Sequence, residues 1–425
     1  MHDSAGQARA VCTSAINKSN LSLRRESNMK VTGIVAEYNP FHNGHKTMVE
    51  KCRANGADRV VAVMSGNFVQ RGSVAIMDKR SRTAAALQSG VDLVVELPVP
   101  WATASAEQFA YGGISVLDDL GCVDTVSFGA ECSDRDLLME AAKAVQDPAV
   151  DERIRQELDG GVSYPVARAL AVQSKYGDTI AEVLDQPNNI LAVEYLKAMQ
   201  KRGSAMKVEP IARVGGVHDS ATPSGEYASA SSLRIMLERG DPHAFQYMPP
   251  ASADEFRRQK SIGRAPVTVD ESERAILSRL RLLSKEEIAA APDIAEGLEN
   301  RIYNAIQSAT SLEELYTIVK TKRYTHSRIR RIVTALYLGL STEDRKMEVP
   351  YVRVLGFTDA GRDILKAAKD AATVPVVTKT AQISELSADA QHVFDLECKA
   401  TDLYNLCTPR ILPCGTEFSD EIVLL

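Results

Sequence analysis

The stretch Glu37 to Lys46, read as Glu-Tyr-Asn-Pro-Phe-His-Asn-Gly-His-Lys, carries the residue types and spacing best suited to chemistry. Two imidazoles, His42 and His45, sit three residues apart with Asn43 and Gly44 between them. Imidazoles donate hydrogen bonds and can share negative charge that develops on a departing phosphate group. Gly44 lets the backbone approach a ligand with no Cβ in the way. A helix beginning there would aim unpaired N–H groups and its positive end at the same point. By residue type alone the pair could instead ligate a metal, with Cys52 as the one nearby further ligand, or be ordinary surface histidines. Their place in the chain favours phosphate chemistry over both.

That place is set by the elements around them. Lys30 to Tyr38 reads as a buried strand ended by Asn39 and Pro40. Arg59 to Met64, Asp92 to Leu97, Asp124 to Phe128 and Val208 to Val214 are further short apolar runs, separated by helical stretches such as His45 to Ala54, Lys79 to Ser89, Ala106 to Asp119 and Leu191 to Lys201. Alternation of this kind predicts an α/β fold with a doubly wound parallel sheet, whose ligands bind at the carboxyl ends of its strands. The histidine pair falls at that edge. So do the loop Ser65 to Gly72 with its Arg71, then Gly129, then Arg213 at the end of the fifth strand. Asn188 and Asn189 precede a helix starting near Ile190, where one serves as N-cap and the other is left for ligand. In Tyr227 to Arg234, serines Ser229, Ser231 and Ser232 stand before a helix, with Arg234 one turn inside it. A guanidinium there can pair with phosphate, although a purely structural cap has the same pattern.

From Pro249 to about Arg264 the chain reads as a linker, and Val269 to Leu340 shows helical periodicity without strand candidates. After Pro350 mixed patterning returns, with strands expected at Tyr351 to Phe357 and Val374 to Thr378 around a helix at Arg362 to Lys369. The expected division is therefore a disordered extension over 1–28, a nucleotide-binding domain over 29–245, a helical domain over 250–345 and a small C-terminal α/β domain over 346–425.

Composition limits the functional classes. The 425 residues carry a net charge of -6 and are only 5% aromatic, which argues against bulk electrostatic capture of nucleic acid and against extended stacking platforms. A local patch stands out against that total. Lys320 to Ile332 holds Lys320, Lys322, Arg323, Arg328, Arg330 and Arg331 without one acid, and is suited to a phosphate backbone. The seven cysteines never form a C-x-x-C pair, as in a reducing cytosol. No apolar run approaches the roughly 18 to 20 residues of a membrane helix.

The His42-Asn43-Gly44-His45 motif after a first strand resembles the H-x-G-H signature of the nucleotidylyltransferase superfamily. Its context, Gly33 to His45, then Ala62 to Gly72, Ala86 to Pro98, Ser127 to Glu131, Gln186 to Ala198 and Ile211 to Asp219, is similar to the bacterial tRNA(Met) cytidine acetate ligase family. The resemblance runs from Met29 to near the C-terminus. It implies a Rossmann-like nucleotidylyltransferase fold and a cytoplasmic ligase. ATP and acetate would give acetyl-adenylate and pyrophosphate, and the acetyl group would pass to the wobble cytidine of elongator tRNA(Met). The implied catalytic pair is His42 and His45. The implied ATP-binding residues are Val35, Ala36, Glu37, Tyr38, Asn39, Pro40, Phe41, Asn43, Gly44, Lys46, Gly129, Asn188, Asn189, Arg213, Ser231 and Arg234, with Mg²⁺ accompanying ATP and no protein metal site. The basic run would then contact tRNA, with no role for DNA or a membrane. Two rivals stand beside this reading: a nucleotidylyltransferase acting on a small phosphorylated precursor, and a non-catalytic RNA-binding scaffold retaining a nucleotide site.

Overall fold

The computed structural model describes residues 29–162, 164–213, 225–295, 297–321 and 324–425. The expected extension 1–28, Lys322, Arg323 and the 214–219 part of the Ile211 to Asp219 block lie outside them.

Five parallel strands form the centre of an eight-stranded sheet: β1 (Val31–Ala36), β2 (Arg59–Ser65), β5 (Leu93–Leu97), β6 (Thr125–Ala130) and β7 (Lys207–Ala212), in the order β5-β2-β1-β6-β7. The short strands β3 (Phe68–Val69) and β4 (Ser73–Val74) make a separate antiparallel hairpin in the loop after β2. Residues alternate between the two faces, as strand geometry requires. Val61, Val63, Leu93 and Val95 join a core beneath helices Ala106–Asp119 and Pro187–Arg202. Val60, Ala62, Met64 and Val94 join another with helices Asn43–Ala54 and Lys79–Gln88. Burial on both faces explains why these strands read as continuous apolar runs. β1 is buried until Val35 and Ala36, which are only partly covered because the carboxyl edge opens there into a cavity.

The C-terminal segment does not form a sheet of its own, as its mixed patterning suggested. Its strand β8 (Val352–Phe357) pairs antiparallel with β5, and β9 (Val376–Val377) and β10 (Val423–Leu424) pair with β8. A buried ionic cluster stitches this seam. Lys79 Nζ lies 2.6 Å from Glu96 and also contacts Glu417, while Arg353 reaches Glu96 at 3.1 Å and Glu417 at 2.5 Å.

The stretch 249–264, read as a linker, is largely the helix Pro250–Ser261. Pro250 occupies the first turn, where a missing N–H costs nothing. Ala253 and Phe256 enter a small core with Ile76, Met77, Leu233 and Leu237. The five helices Glu273–Arg281, Lys285–Ala290, Leu298–Ser308, Leu312–Val319 and His326–Leu338 follow. Their core continues into Phe68, Val74, Val99, Leu396 and Tyr404, with the Phe68 and Tyr404 rings edge to face.

Candidate active site

β1 leads directly into the site. Tyr38 adopts φ +47° and turns the chain off the sheet. Asn39 is buried, its side-chain oxygen accepting from the Ile76 N–H at 2.8 Å and its carbonyl from Arg234 at 2.9 Å. His42 is the N-cap of helix Asn43–Ala54. Its backbone N–H donates to His45 Nδ1 at 3.2 Å, and the two half-buried rings stack with centroids 3.7 Å apart at 20°. Because Nδ1 of His45 accepts, the proton of the neutral ring sits on Nε2. Desolvation, then Arg213 and Arg234, lowers His42 to about 3. Desolvation, then His42 and Arg213, holds His45 well below the ordinary imidazole value. Both are neutral donors near pH 7. Gly44 serves the pair in a different way from the one its sequence position suggested: a Cβ there would lie 3.0 Å from the His42 ring, so the glycine makes room for stacking.

The cavity at this edge has a volume of about 640 Å³. Lys51, Arg71, Arg213, Arg234 and Arg331 line it against one carboxylate, Glu37, among the described residues. Such an excess calls for a polyanion. Arg213 donates to Asn188 at 3.1 Å, and Asn188 is held in turn by Glu131. Arg71 and Arg234 both reach Ser231 Oγ, at 3.5 and 3.2 Å. Ser229 caps the helix Ala230–Glu238 by accepting from the Ser232 N–H. Phe109, Phe128, Ile190, Leu191 and Tyr195 supply an apolar wall, the kind of surface that accepts a nucleobase.

Of the residues singled out by sequence, Val35, Ala36, Glu37, Tyr38, Asn39, His42, Gly44, His45, Gly129, Asn188, Arg213, Ser231 and Arg234 line the cavity. Pro40, Phe41, Asn43, Lys46 and Asn189 do not. Phe41 is core, Asn43 donates to the carbonyls of Glu226 and Gln246, and Lys46 is exposed, 3.8 Å from Glu50. The N-cap of helix Pro187–Arg202 is Gln186, so both asparagines lie in its first turn. Asn189 is buried, accepting from Cys132 N–H and donating to the Val183 carbonyl.

The basic run splits. Lys320 and Arg330 face solvent. Arg328 donates to the Asp293 carbonyl at 2.9 Å, whereas Arg331 turns inward and lines the cavity with Ser327. Arg353 is buried in the ionic cluster and takes no part in this surface.

Sequence reasoning missed Arg82. It is fully buried, and its guanidinium donates to the carbonyls of Met77 at 2.9 Å, Glu37 at 2.6 Å and Ser65 at 3.0 Å, and to that of Gly66. It ties the carboxyl ends of β1 and β2 together beneath the site. A charged residue in a Lys-Arg-Ser-Arg helix gives no signal of that burial.

The family model described as HIGH Nucleotidyl Transferase matches residues 29–415. A tRNA(Met) cytidine acetate ligase of Acetivibrio thermocellus is 37% identical over 415 residues, covering 93% of this chain and 100% of the relative. One from a Thermoanaerobacter species is 38% identical over 404 residues, with 93% and 100% covered. The apo crystal structure of Thermotoga maritima TmcAL superposes with a TM-score of 0.89 at 33% identity, covering 93% of this chain and 100% of that one. The same protein bound with alpha-thio ATP gives 0.87 at 33% identity and the same coverage.

Proposed function

Because the chain belongs to the HIGH nucleotidyl transferase family and, within it, to the tRNA(Met) cytidine acetate ligases, we propose how its cavity divides the work of that ligase. The enzyme is an ATP-dependent ligase that acts on tRNA(Met). In our reading ATP lies with its base against the apolar wall and its phosphates among the cationic side chains. Arg71, Ser231 and Arg234 hold the outer phosphates, and Arg213 the α-phosphate. Acetate attacks the α-phosphorus in line, and the bond to pyrophosphate breaks. The Nε2–H of His45, with His42 stacked against it, donates to the oxygen on which charge develops. The exocyclic amine of the wobble cytidine of elongator tRNA(Met) then attacks the acetyl carbonyl, giving N4-acetylcytidine and AMP. Lys320, Arg328 and Arg330 receive the tRNA backbone.

Mg²⁺ suits this arrangement as a companion of the phosphates. Glu37 is the one carboxylate in the cavity lining, and no group of three or more metal-binding side chains occurs among the described residues. The ion would supply charge neutralisation while keeping most of its own water. No helix among the described residues is long and apolar enough to cross a membrane, and the reading places the enzyme with its tRNA in the cytoplasm.

The observation that carries this reading is the stacked, neutral histidine pair facing five cations and one acid. The test is purified protein with ATP, labelled acetate and tRNA(Met). The expected products are acetate-dependent pyrophosphate and N4-acetylcytidine at the wobble position. No pyrophosphate release in response to acetate, or no acetylated cytidine, overturns it.

A further inference from the structure

At the outer wall of the cavity the charges do not balance. Arg331, with only 14% of its side chain exposed, leaves its Nε 3.7 Å from Asp293 Oδ2, beyond hydrogen-bond reach, and that buried nitrogen has no hydrogen-bond partner among the described residues. Asp293 Oδ2 is already taken by Arg345 at 3.0 Å, and the Asp293 carbonyl by Arg328 at 2.9 Å. The Asp293 carboxylate is therefore shared by two guanidiniums, of which Arg345 has the closer contact, while a third takes the Asp293 carbonyl. Asp344 is also near Arg345 but is engaged by His392 at 2.6 Å and by Ser341. Asp293 itself adopts φ +65°, a conformation an Asp tolerates at some cost. A guanidinium that is mostly desolvated and incompletely paired is costly unless an anion completes it.

The anion that fits is the one the cavity is built for. Arg331 shares the lining with Gln70 and Arg71, and the next residue, Gly72, lies so close to helix His326–Leu338 that a Cβ would fall 2.5 Å from the Arg331 backbone nitrogen. Arg71 also reaches Ser231, the residue shared with Arg234. We propose that Arg331 is a phosphate-binding residue of the nucleotide cavity, supplied by the helical domain, and is not part of the outer RNA surface to which its sequence neighbours belong. The proposal rests on the reading of the cavity as an ATP site. It makes the helix that presents Arg330 to RNA also complete the grip on ATP, one turn of chain serving both substrates.

Direct binding measurements separate this role from its rivals. The affinities of a non-hydrolysable ATP analogue and of adenosine are measured for the wild type and for Arg331→Ala, without RNA, and tRNA affinity is measured without nucleotide. The expected result is a loss of about tenfold for the ATP analogue, the scale of one charge-assisted hydrogen bond, with adenosine affinity unchanged. Arg331→Lys, which keeps a charge, should recover part of that loss. Unchanged affinity for the analogue overturns the assignment, as does a weakened tRNA affinity with nucleotide binding intact. A parallel loss of the analogue and adenosine, the mark of a merely structural role, also overturns it. If the wild type bound no ATP analogue at all, the reading of the cavity would fail first.

Discussion

At the scale of single residues, the site depends on keeping two imidazoles uncharged beside two arginines, Arg213 and Arg234. His42→Ala or His45→Ala should lower acetyl-adenylate formation by about 10²- to 10³-fold, the usual cost of removing one preorganised donor, while tRNA binding survives. Pyrophosphate release and tRNA affinity on the same preparations check this. The same burial has a consequence for stability. In the unfolded chain both imidazoles take up protons near their ordinary value of about 6.5, whereas in the fold His42 resists protonation down to about 3. Below about pH 6.5 the unfolded state therefore binds more protons, and stability falls as pH falls, by at most about 1.4 kcal/mol per pH unit for each imidazole. Urea midpoints at pH 7 and pH 5 should differ less for His42→Asn than for the wild type; an equal difference would place the acid sensitivity elsewhere. The histidines, Arg213 and Arg234 were legible in the sequence because each belongs to a short motif at the end of an element. Arg82 and Arg331 were not. Their roles come from contacts across the fold, with Glu37, Ser65 and Asp293, and a basic residue in a basic helix carries no mark of which way it points.

At the scale of elements, the turn Gln70 to Gly72 joins the cavity lining to the helix His326–Leu338. Glu37 accepts from the Gln70 N–H at 2.9 Å, Arg71 reaches Ser231, and Gly72, at φ +70°, packs against Arg330 and Arg331. Gly72→Ala meets both a left-handed backbone and main-chain atoms 2.5 Å from its Cβ, so the turn and the helix must separate, at a cost of roughly 1 to 3 kcal/mol. We expect weaker ATP binding and weaker tRNA binding from this one methyl group; normal values for both would remove the turn from the link. Neutralising Lys320, Arg328 and Arg330 together should weaken tRNA binding and flatten its dependence on log salt by about three units, leaving acetate-dependent pyrophosphate release in place. Element types were largely readable, since the strands are buried on both faces. The helix Pro250–Ser261 was hidden by its opening prolines and its charged outer side, and became visible only through Ala253 and Phe256 in the core they share with Ile76 and Met77.

At the scale of the whole molecule, strand pairing rather than pattern decides where domains end. Alternating sequence after Pro350 looked like a separate α/β piece because nothing in a single sequence says which edge a strand will join. β8 joins the sheet whose carboxyl edge opens into the cavity, and the seam is held by two cations and three acids: Lys79, Arg353, Glu96, Glu397 and Glu417, each at most 3% exposed. Against desolvation, which pulls it up, Lys79 and Arg353 together hold Glu417 well below the ordinary carboxylate range, whereas desolvation and then Glu96 raise Glu397 well above it. A cluster so dry tolerates the loss of a member poorly. Glu417→Ala leaves two buried cations with less than their share of negative charge and should cost about 3 to 5 kcal/mol. Because Lys79 opens the helix that carries Arg82, and Arg82 ties the ends of β1 and β2, the loss should not stay at the C-terminus. Urea unfolding followed at Trp101, buried in the core beneath the sheet, should shift to lower denaturant in step with far-ultraviolet circular dichroism. A Trp101 transition left at its wild-type midpoint would mean that the C-terminal segment unfolds on its own, as the sequence pattern alone had suggested.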